Sequence, residues 1–326
     1  MLKNIKPLSL SIIITACATS SISRPVSLSE QHQIGDVHMQ IRLRGTIELT
    51  NNQVNGLKLT ELSGLAWDED EAILYAISDQ GYLFHLRPRI KRNTLIALTA
   101  LSAYRLQTQL SKDSEGLAIL NGNNGVAGDT ELVISFEGKP QIARFTPKGK
   151  RLGSYALPRV LLYGYSEPNK ALEAVTVHPR LGIITAPEWP LKGVVDGQHK
   201  HKLYTLDGKQ WTFPAYPAPN SAIVAIEALE DGSVLILERA FSSIFQPLII
   251  SLRRLWLSGE HRQIAVFDTS KAWEVDNFEG LTRHRGKYFF MVSDDNDSSL
   301  QRTLLSYWEL IILRIQTIDL RENGRV

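Results

Sequence analysis

Short apolar runs separated by turn-forming residues recur along this chain at a nearly constant interval. Each copy starts with one such run, and a second run rich in β-branched or aromatic residues follows. Five copies at so regular a spacing indicate a repeat architecture. The first runs are LSGLAWD (62–68), SEGLAIL (114–120), LEAVTVH (172–178), IEALEDG (226–232) and FEGLTRH (278–284). Their aligned positions are Ser63, Glu115, Glu173, Glu227 and Glu279, spaced by 52, 58, 54 and 52 residues.

Each copy predicts an antiparallel hairpin followed by two further strands. Turn formers such as Glu230-Asp231-Gly232 join the two runs of a copy, and residues 141–147 and 151–158 supply the next two strands in one of them. No long segment with a period of 3.6 residues competes with this interpretation. The pattern predicts an all-β protein: a β-propeller with five countable four-stranded blades, a sixth being an open alternative.

The last copy is short of one strand, and an unused strand lies near the N-terminus. Residues 303–315 follow the last hairpin, while residues 38–49 precede the first copy without a hairpin of their own. We expect the N-terminal strand to complete the last blade and close the ring, which would remove an exposed sheet edge.

The propeller geometry predicts where the repeated acids lie. The first strand of a blade lines the central channel and the second runs back beside it, so the start of one and the end of the other share a face. The aligned glutamates begin the first strands. The acids expected at the ends of the second strands are Asp79, Glu137, Glu188, Glu238 and Asp294-Asp295.

Such a ring of acids needs protons, basic partners or a cation. Two carboxylates about 6 Å apart repel by roughly 3 kcal/mol at an effective dielectric near 20. Calcium accepts six to eight oxygen ligands, so the sequence predicts a Ca²⁺ site. Arg239 and Lys139 are the bases expected to bind an anionic substrate. The predicted metal ligands are Asp79, Glu115, Glu173, Glu227, Glu279, Asp294 and Asp295.

Three structural alternatives accompany these assignments. A glutamate repeated in every blade could instead accept backbone N–H groups from the neighbouring blade. Ser63 lacks the strand–turn–helix context of a hydrolase nucleophile and is interpreted as a small residue of a degenerate repeat. His199 and His201 lie two residues apart, but without a third ligand nearby they are expected to be solvated hairpin residues.

The N-terminal segment predicts export and lipidation. Two lysines precede a short apolar run that ends in Ile14-Thr15-Ala16-Cys17, a pattern that resembles a bacterial lipoprotein signal. Cys17, the only cysteine, is the predicted lipidation site, and ordinary signal-peptide cleavage is the alternative. Residues 1–17 are thus a predicted signal peptide, 18–35 a flexible tether and 36–326 a single domain. The net charge of +2 gives no reason to expect nucleic-acid binding.

The repeats resemble the phytase-like family, described by the esterase-like activity of phytase. LSGLAWD with AISDQG, SEGLAI with ISFEG, LEAVTV with APEWP, and FEGLT with MVSDDN carry this resemblance, which spans most of residues 38–315. It implies a secreted or periplasmic propeller with phosphoester hydrolase activity and calcium bridging acids and phosphate. Ala18 follows the cysteine, and the resemblance to Gram-negative lipoproteins implies the periplasmic side of the outer membrane.

Two functions stay open at this point. One is a calcium-dependent hydrolase of phosphate esters or other small esters, acting as a monomer on a small anionic or ester substrate. The other is a non-catalytic envelope lipoprotein whose propeller face binds a ligand or protein partner. In both cases the lipid anchor is the expected contact with the membrane.

Overall fold

The fold is made almost entirely of strands. The computed structural model describes residues 22–50, 53–108, 113–165, 167, 170–192, 200–243 and 245–311. In these ranges helix is confined to the single turn α1 (Val160–Tyr163) and a 3-10 turn (Thr269–Lys271), neither long nor apolar enough to cross a membrane. The strands before the first repeat are β1 (Ser23–Val26), β2 (Val37–His38), β3 (Ile41–Leu49), β4 (Gln53–Val54) and β5 (Leu57–Lys58).

Consecutive strands form the blades, each an antiparallel sheet in chain order. Blade one contains β6 (Leu62–Asp68), β7 (Ile73–Ser78), β8 (Tyr82–Lys91) and β9 (Thr94–Arg105). Blade two contains β10 (Ser114–Leu120), β11 (Glu131–Phe136), β12 (Gln141–Phe145) and β13 (Arg151–Ser154). Blade three contains β14 (Leu172–His178), β15 (Gly182–Pro187), β16 (Lys200–Thr205) and β17 (Gln210–Pro214). Blade four contains β18 (Ser221–Ala228), β19 (Val234–Ala240), β20 (Ile249–Leu255) and β21 (His261–Asp268). Blade five contains β22 (Asn277–Arg283), β23 (Tyr288–Asp294) and β24 (Leu304–Leu310).

Blade five is completed from the N-terminus. Strand β3 pairs with β24, so that Ile47 lies opposite Leu305 and both side chains are buried. The sheet order β1-β3-β24-β23-β22 confirms the predicted closure, and the described residues form the five-bladed propeller expected from the repeats. Closure pairs the outer edge that β24 would otherwise expose.

The segment before β3 differs from the predicted flexible tether. Strand β1 pairs with β3, Leu28 is fully buried, and Ser29 forms a bridge with Trp273. The tether prediction is therefore wrong for residues 22–35; residues 18–21 and the predicted signal peptide lie outside the described residues. Serine and proline suggest a linker, but proline is tolerated on an edge strand, and Leu28 contributes apolar burial.

The five inner strands β6, β10, β14, β18 and β22 share one irregularity near their first residues. Each has a register shift in which one residue bulges out of the ladder, and a small residue follows it. The small residues are Gly64, Gly116, Ala174, Ala225 and Gly280. They let the strands approach so closely that the channel between them holds a cavity of only about 10 Å³.

Gly116 tests this close approach. A Cβ atom there would lie 2.6 Å from the backbone nitrogen of Val175 and 2.6 Å from Ser135 Oγ. We expect Gly116→Ala to lower the free energy of unfolding by about 1–3 kcal/mol, because the backbone of β14 has to move. The measurement is urea denaturation.

Gly153→Ala is the matched control. A Cβ atom at Gly153, on strand β13, would meet only Arg144 Nη2 at 3.8 Å. This variant should keep or slightly raise stability, since alanine restricts the unfolded chain. Equal stability of the two variants would contradict the packing argument.

Candidate functional site

Two sets of residues meet at one end of the channel. One set consists of the residues that bulge near the start of each inner strand. The other set lies on the second strand: the residue just before each bulge pairs with a residue there, and the next residue along the second strand belongs to this set. The bulged residues are Ser63, Glu115, Glu173, Val224 and Glu279. The second set is Asp79, Glu137, Glu188, Arg239 and Asp294. We call the seven acids among these ten residues, together with Arg239, the acidic mouth.

Blade four departs from the other blades and corrects two predicted positions. Its bulge lies between Ile223 and Ala225, so Val224, not Glu227, is the equivalent of the repeated glutamate. Two segments of the sequence, three residues apart, can be aligned with the repeat: Val-Ala-Ile and Glu-Ala-Leu. The glutamate makes the second alignment look better, but the structure has the first. The distance to the turn distinguishes them, because Glu227 is followed by only one more residue of β18.

Glu227 lies at the opposite end of the channel. Its carboxylate accepts a hydrogen bond of 2.9 Å from the backbone N–H of Arg283 in the next blade. Burial raises the pKa of Glu227 to about 7, although this hydrogen bond lowers it. Glu227 therefore has the structural role that was the alternative to metal binding: it accepts a backbone N–H group from the neighbouring blade.

Glu238 also lies outside the acidic mouth. Pairing with Ile223 places it one residue before Arg239, facing away from the channel. It accepts hydrogen bonds from Tyr216 N (2.8 Å) and Ser251 Oγ (3.1 Å), and Arg253 Nε lies 3.2 Å away. Burial would raise its pKa, but His201 and Arg253 lower it overall. Glu238 is thus a paired core carboxylate.

Three carboxylates of the acidic mouth converge closely. Glu137, Glu173 and Glu188 each offer an oxygen, and these atoms lie within 4.8 Å of one another. Glu137 accepts a hydrogen bond of 3.2 Å from Ala171 N, and Glu188 lies 2.6 Å from Lys170 Nζ. Among the described residues, no hydrogen bond or ion pair reaches the Glu173 carboxylate. This trio has the donor chemistry of a cation site.

Arg239 is the base at the centre of the acidic mouth. It donates hydrogen bonds to Asn277 Oδ1 (2.6 Å), Glu279 Oε1 and Glu188 Oε1 (3.3 Å). Burial alone would lower its pKa, but Glu279 and the neighbouring acids raise it overall. Arg239 therefore stays charged and joins the trio to the rest of the ring.

The acids retain protons because they are buried together. Burial raises the pKa of Asp79 to about 8, and Glu279 adds to this shift. Burial likewise raises the pKa of Asp294 to about 9 and that of Glu137 to about 7. The pKa of Glu173 lies well above its usual value, through burial and then through Glu115. These shifts mark charge crowding that nearby bases do not relieve.

The adjacent aspartates Asp294 and Asp295 have different surroundings. Asp294 belongs to the acidic mouth and accepts Asn296 N at 2.7 Å. Asp295 accepts Glu61 N at 2.9 Å and Thr303 Oγ1 at 2.8 Å, and a hydrogen bond from Thr60 as well. Both carboxylate oxygens of Asp295 therefore accept hydrogen bonds that connect loops. Because these oxygens already have partners, the geometry argues against the predicted role of Asp295 as a metal ligand.

The remaining sequence candidates contribute little to the acidic mouth. Ser63 is buried and donates to Ser114 O at 2.7 Å, in the role of a small structural residue. Lys139 is exposed in the turn after β11. His201 is buried beside Glu238, so it is not the solvated residue that was expected, and His199 lies outside the described residues. Sequence reasoning missed Lys170 and Asn277, whose contacts depend on loop geometry.

The other end of the channel opens into a larger cavity of about 650 Å³. Four of its charged residues form two ion pairs, since Arg285 Nε lies 2.7 Å from Glu69 and Arg283 contacts Glu230, and Glu227 accepts a hydrogen bond from Arg283 N. Trp67 donates to Glu69 at 2.8 Å. Size alone would favour this cavity, but its charges are balanced locally, so the acidic mouth is the better candidate site.

Fold and site together define a five-bladed β-propeller with a carboxylate ring at one channel mouth. Residues 58–297 match the family described as "Phytase-like: Esterase-like activity of phytase", and the chain belongs to this family. The family suggests a hydrolase. A solved structure titled "Structure of Dos1 propeller" aligns with a TM-score of 0.37 and 8% identity, covering 83% of this chain and 73% of that one. No curated protein matches the sequence significantly.

The raised pKa values predict a stability that falls with pH. A carboxyl whose pKa is higher in the folded state binds more protons there, so stability decreases as pH rises through that pKa. With chelator present, we expect the free energy of unfolding to fall between pH 7.5 and 9.5, where Asp79 and Asp294 titrate. Each retained proton contributes a slope of about 1.4 kcal/mol per pH unit.

This range lies above the titration of His38, His85 and His284, whose lowered pKa values give the opposite slope at acidic pH. Asp294→Asn should flatten the decline. Thermal melts across the range are the measurement, and a stability that is constant or rising from pH 7.5 to 9.5 would contradict the assignment.

Proposed function

We propose that this protein is a calcium-dependent hydrolase of phosphate esters or other small esters, acting at the acidic mouth. The observation that carries the proposal is the convergence of Glu137, Glu173 and Glu188, whose oxygens lie within 4.8 Å of one another. Family membership adds support for hydrolase chemistry.

The donor set fits calcium. Carboxylate oxygens are hard ligands, and calcium accepts several of them in flexible geometry. Glu137, Glu173 and Glu188 would hold the ion, with Glu115 and Asp79 on the adjoining side of the ring. When bound, calcium supplies Lewis acidity and screens the repulsion between the carboxylates and an anionic ester.

The protein's own groups supply binding and proton transfer. Arg239 is fixed by Glu279 and Asn277, so a guanidinium N–H is held beside the carboxylate trio for an anionic part of the substrate. Lys139, exposed in the turn after β11, is a second base that could approach the substrate. Asp79 Oδ1 is buried without a hydrogen-bond partner among the described residues, and the raised pKa keeps a proton on this carboxyl at neutral pH. Asp79 is thereby suited to protonate a leaving alkoxide.

Calcium binding is tested by melting. A ligand that binds only the native state at a hundredfold excess over Kd stabilises it by about 2.7 kcal/mol. We expect calcium to raise the melting temperature of the wild type and Glu173→Gln to abolish the shift. Without calcium this variant should be as stable as the wild type or more so, because a neutral glutamine, unlike Glu173, does not have to bind a proton in order to be buried there.

Asp295→Asn is the contrasting variant. It should lose stability with and without calcium, because Asp295 holds Thr60, Glu61 and Thr303, yet it should retain the calcium shift. A wild type whose melting responds to neither calcium nor chelator would refute the metal site.

Hydrolysis is tested on a panel of nitrophenyl phosphates, phosphodiesters and short carboxylic esters, with calcium or chelator. We expect calcium-dependent turnover that Glu173→Gln lowers by about a hundredfold, as expected when a ligand to an essential ion is lost. Glu227→Gln is the matched control, a half-buried carboxyl with a raised pKa at the other end of the channel, and should keep wild-type turnover. Calcium binding without turnover of any ester would favour the non-catalytic binding lipoprotein.

The proposed location is the periplasmic side of the outer membrane, with the chain anchored through lipidated Cys17. The signal pattern before Cys17 supports this. We expect Cys17→Ser to move the protein from membrane pellets to the soluble fraction in a bacterial host that processes lipoproteins. Unchanged fractionation would contradict lipidation.

A further inference from the structure

The most exposed large apolar side chains share one face of the propeller. Leu300 is 92% exposed, Phe245 88% and Tyr163 78%, higher than any other large hydrophobic residue described. Leu300 lies between β23 and β24, Phe245 between β19 and β20, and Tyr163 in the connection from blade two to blade three. All three connections lie at the end of the channel that carries the acidic mouth.

Helix α1 exposes apolar side chains that the core does not need. Of its four residues, only Leu161 is buried, while Val160, Leu162 and Tyr163 are exposed. The turn is fixed to the protein through Leu161 and through a hydrogen bond of 2.7 Å from Lys192 N to Gly164 O. Single exposed apolar residues are ordinary, but an anchored turn with three of them is not required by folding.

The loop after β19 has the same character. Phe241 directly follows the last residue of β19 and is exposed, as is Phe245. Hydrogen bonds from Phe245 N to Ser243 Oγ (3.3 Å) and from Gln246 N to Ser243 O (3.0 Å) hold the turn. Both exposed aromatic residues therefore lie beside backbone atoms that hydrogen bonds hold, Phe241 being two residues after Arg239.

The chain enters the propeller on this same face. Thr50 N donates to Ile22 O at 2.7 Å, and Leu49 N donates to Thr303 O at 2.9 Å. Thr303 in turn donates to Asp295, next to Asp294 of the acidic mouth. Cys17 precedes Ile22 by five residues, which span at most about 18 Å when fully extended. Lipidation at Cys17 would hold this face within that distance of a bilayer.

We propose that the acidic mouth faces a lipid bilayer, with Tyr163, Phe245 and Leu300 inserting into its surface. Three apolar tips from separate blades can contact one flat surface together, and aromatic side chains are favoured where an apolar layer meets water. As an extension that rests on the proposed hydrolase, the ester substrate is an ester or phosphoester of a membrane lipid.

Vesicle binding tests the docking face without the lipid anchor. A chain beginning at residue 18 retains every described strand and lacks Cys17, and the probe is vesicles of phosphatidylethanolamine and phosphatidylglycerol. We expect it to cosediment with vesicles, and the triple variant Tyr163→Ser, Phe245→Ser, Leu300→Ser to lower the partition coefficient at least about tenfold for lost apolar contact.

The matched control carries Met39→Ser, Val126→Ser and Leu152→Ser, which are exposed apolar positions away from this face. It should bind vesicles like the parent, and both triple variants should keep the parent's melting temperature, because all six side chains are exposed. The docking face is refuted by a parent chain that does not bind vesicles or by equal losses in the two variants. A parent dimer that only the first variant converts to a monomer would instead assign the face to self-association.

Orientation is read from a single fluorescent label. The shortened chain has no cysteine, so Ser242→Cys near Phe241 and Asn123→Cys at the opposite mouth each give a unique site. Brominated phospholipids should quench the label at 242 and leave the label at 123 unchanged, and the reverse result refutes the proposal. Because this measurement needs no turnover, failure of the hydrolase would leave the docking result standing. A hydrolase active on soluble esters but without vesicle binding would refute the docking alone.

Discussion

The close approach of the five inner strands is the constraint on which this structure depends. A bulge near the start of each strand turns one side chain toward the channel end, and the next residue must be small. At Gly64 a Cβ would lie 2.6 Å from Glu115 O, and at Gly280 it would meet Val292 at 2.6 Å. The same packing that closes the channel therefore places the bulged acids side by side. Stability and site geometry follow from one repeated backbone feature.

Sequence reasoning finds the parts of this structure that depend on local pattern. Alternating apolar runs and turn residues predict five hairpins, and a leftover strand at each end predicts the closure. The bulge has no comparable signature, because a shift of register changes no composition. The sequence therefore predicts Glu227 as the blade-four equivalent, whereas the structure has Val224 there. The role of Asp295 depends on Thr60, more than two hundred residues away, which no local pattern reveals.

Blade four gives the acidic mouth its asymmetry. Where the other four blades carry an acid at the end of the second strand or directly after it, blade four carries Arg239, and its bulged residue is the apolar Val224. The guanidinium neutralises Glu279 and contacts Glu188, and Lys170 lies on the other side of Glu188. Among the described residues, no ion pair reaches Glu115 or Glu173, although the charge of Arg239 also acts on Glu173. The acids that outnumber their basic partners thus lie on the side of blades two and three, where Glu137, Glu173 and Glu188 converge.

The closed channel separates the two ends of the propeller. The cavity between the inner strands measures only about 10 Å³, which is about the space that one water molecule needs. If the acidic mouth is the active site, as we propose, its substrate has to arrive and leave on the same face, between the loops that carry Tyr163, Phe245 and Leu300. Water-exposed apolar tips around a buried charge cluster suit a substrate that is apolar at one end and polar at the other. On this proposal the strands fix the positions of the acids, and the loops around them select the molecules that reach the acids.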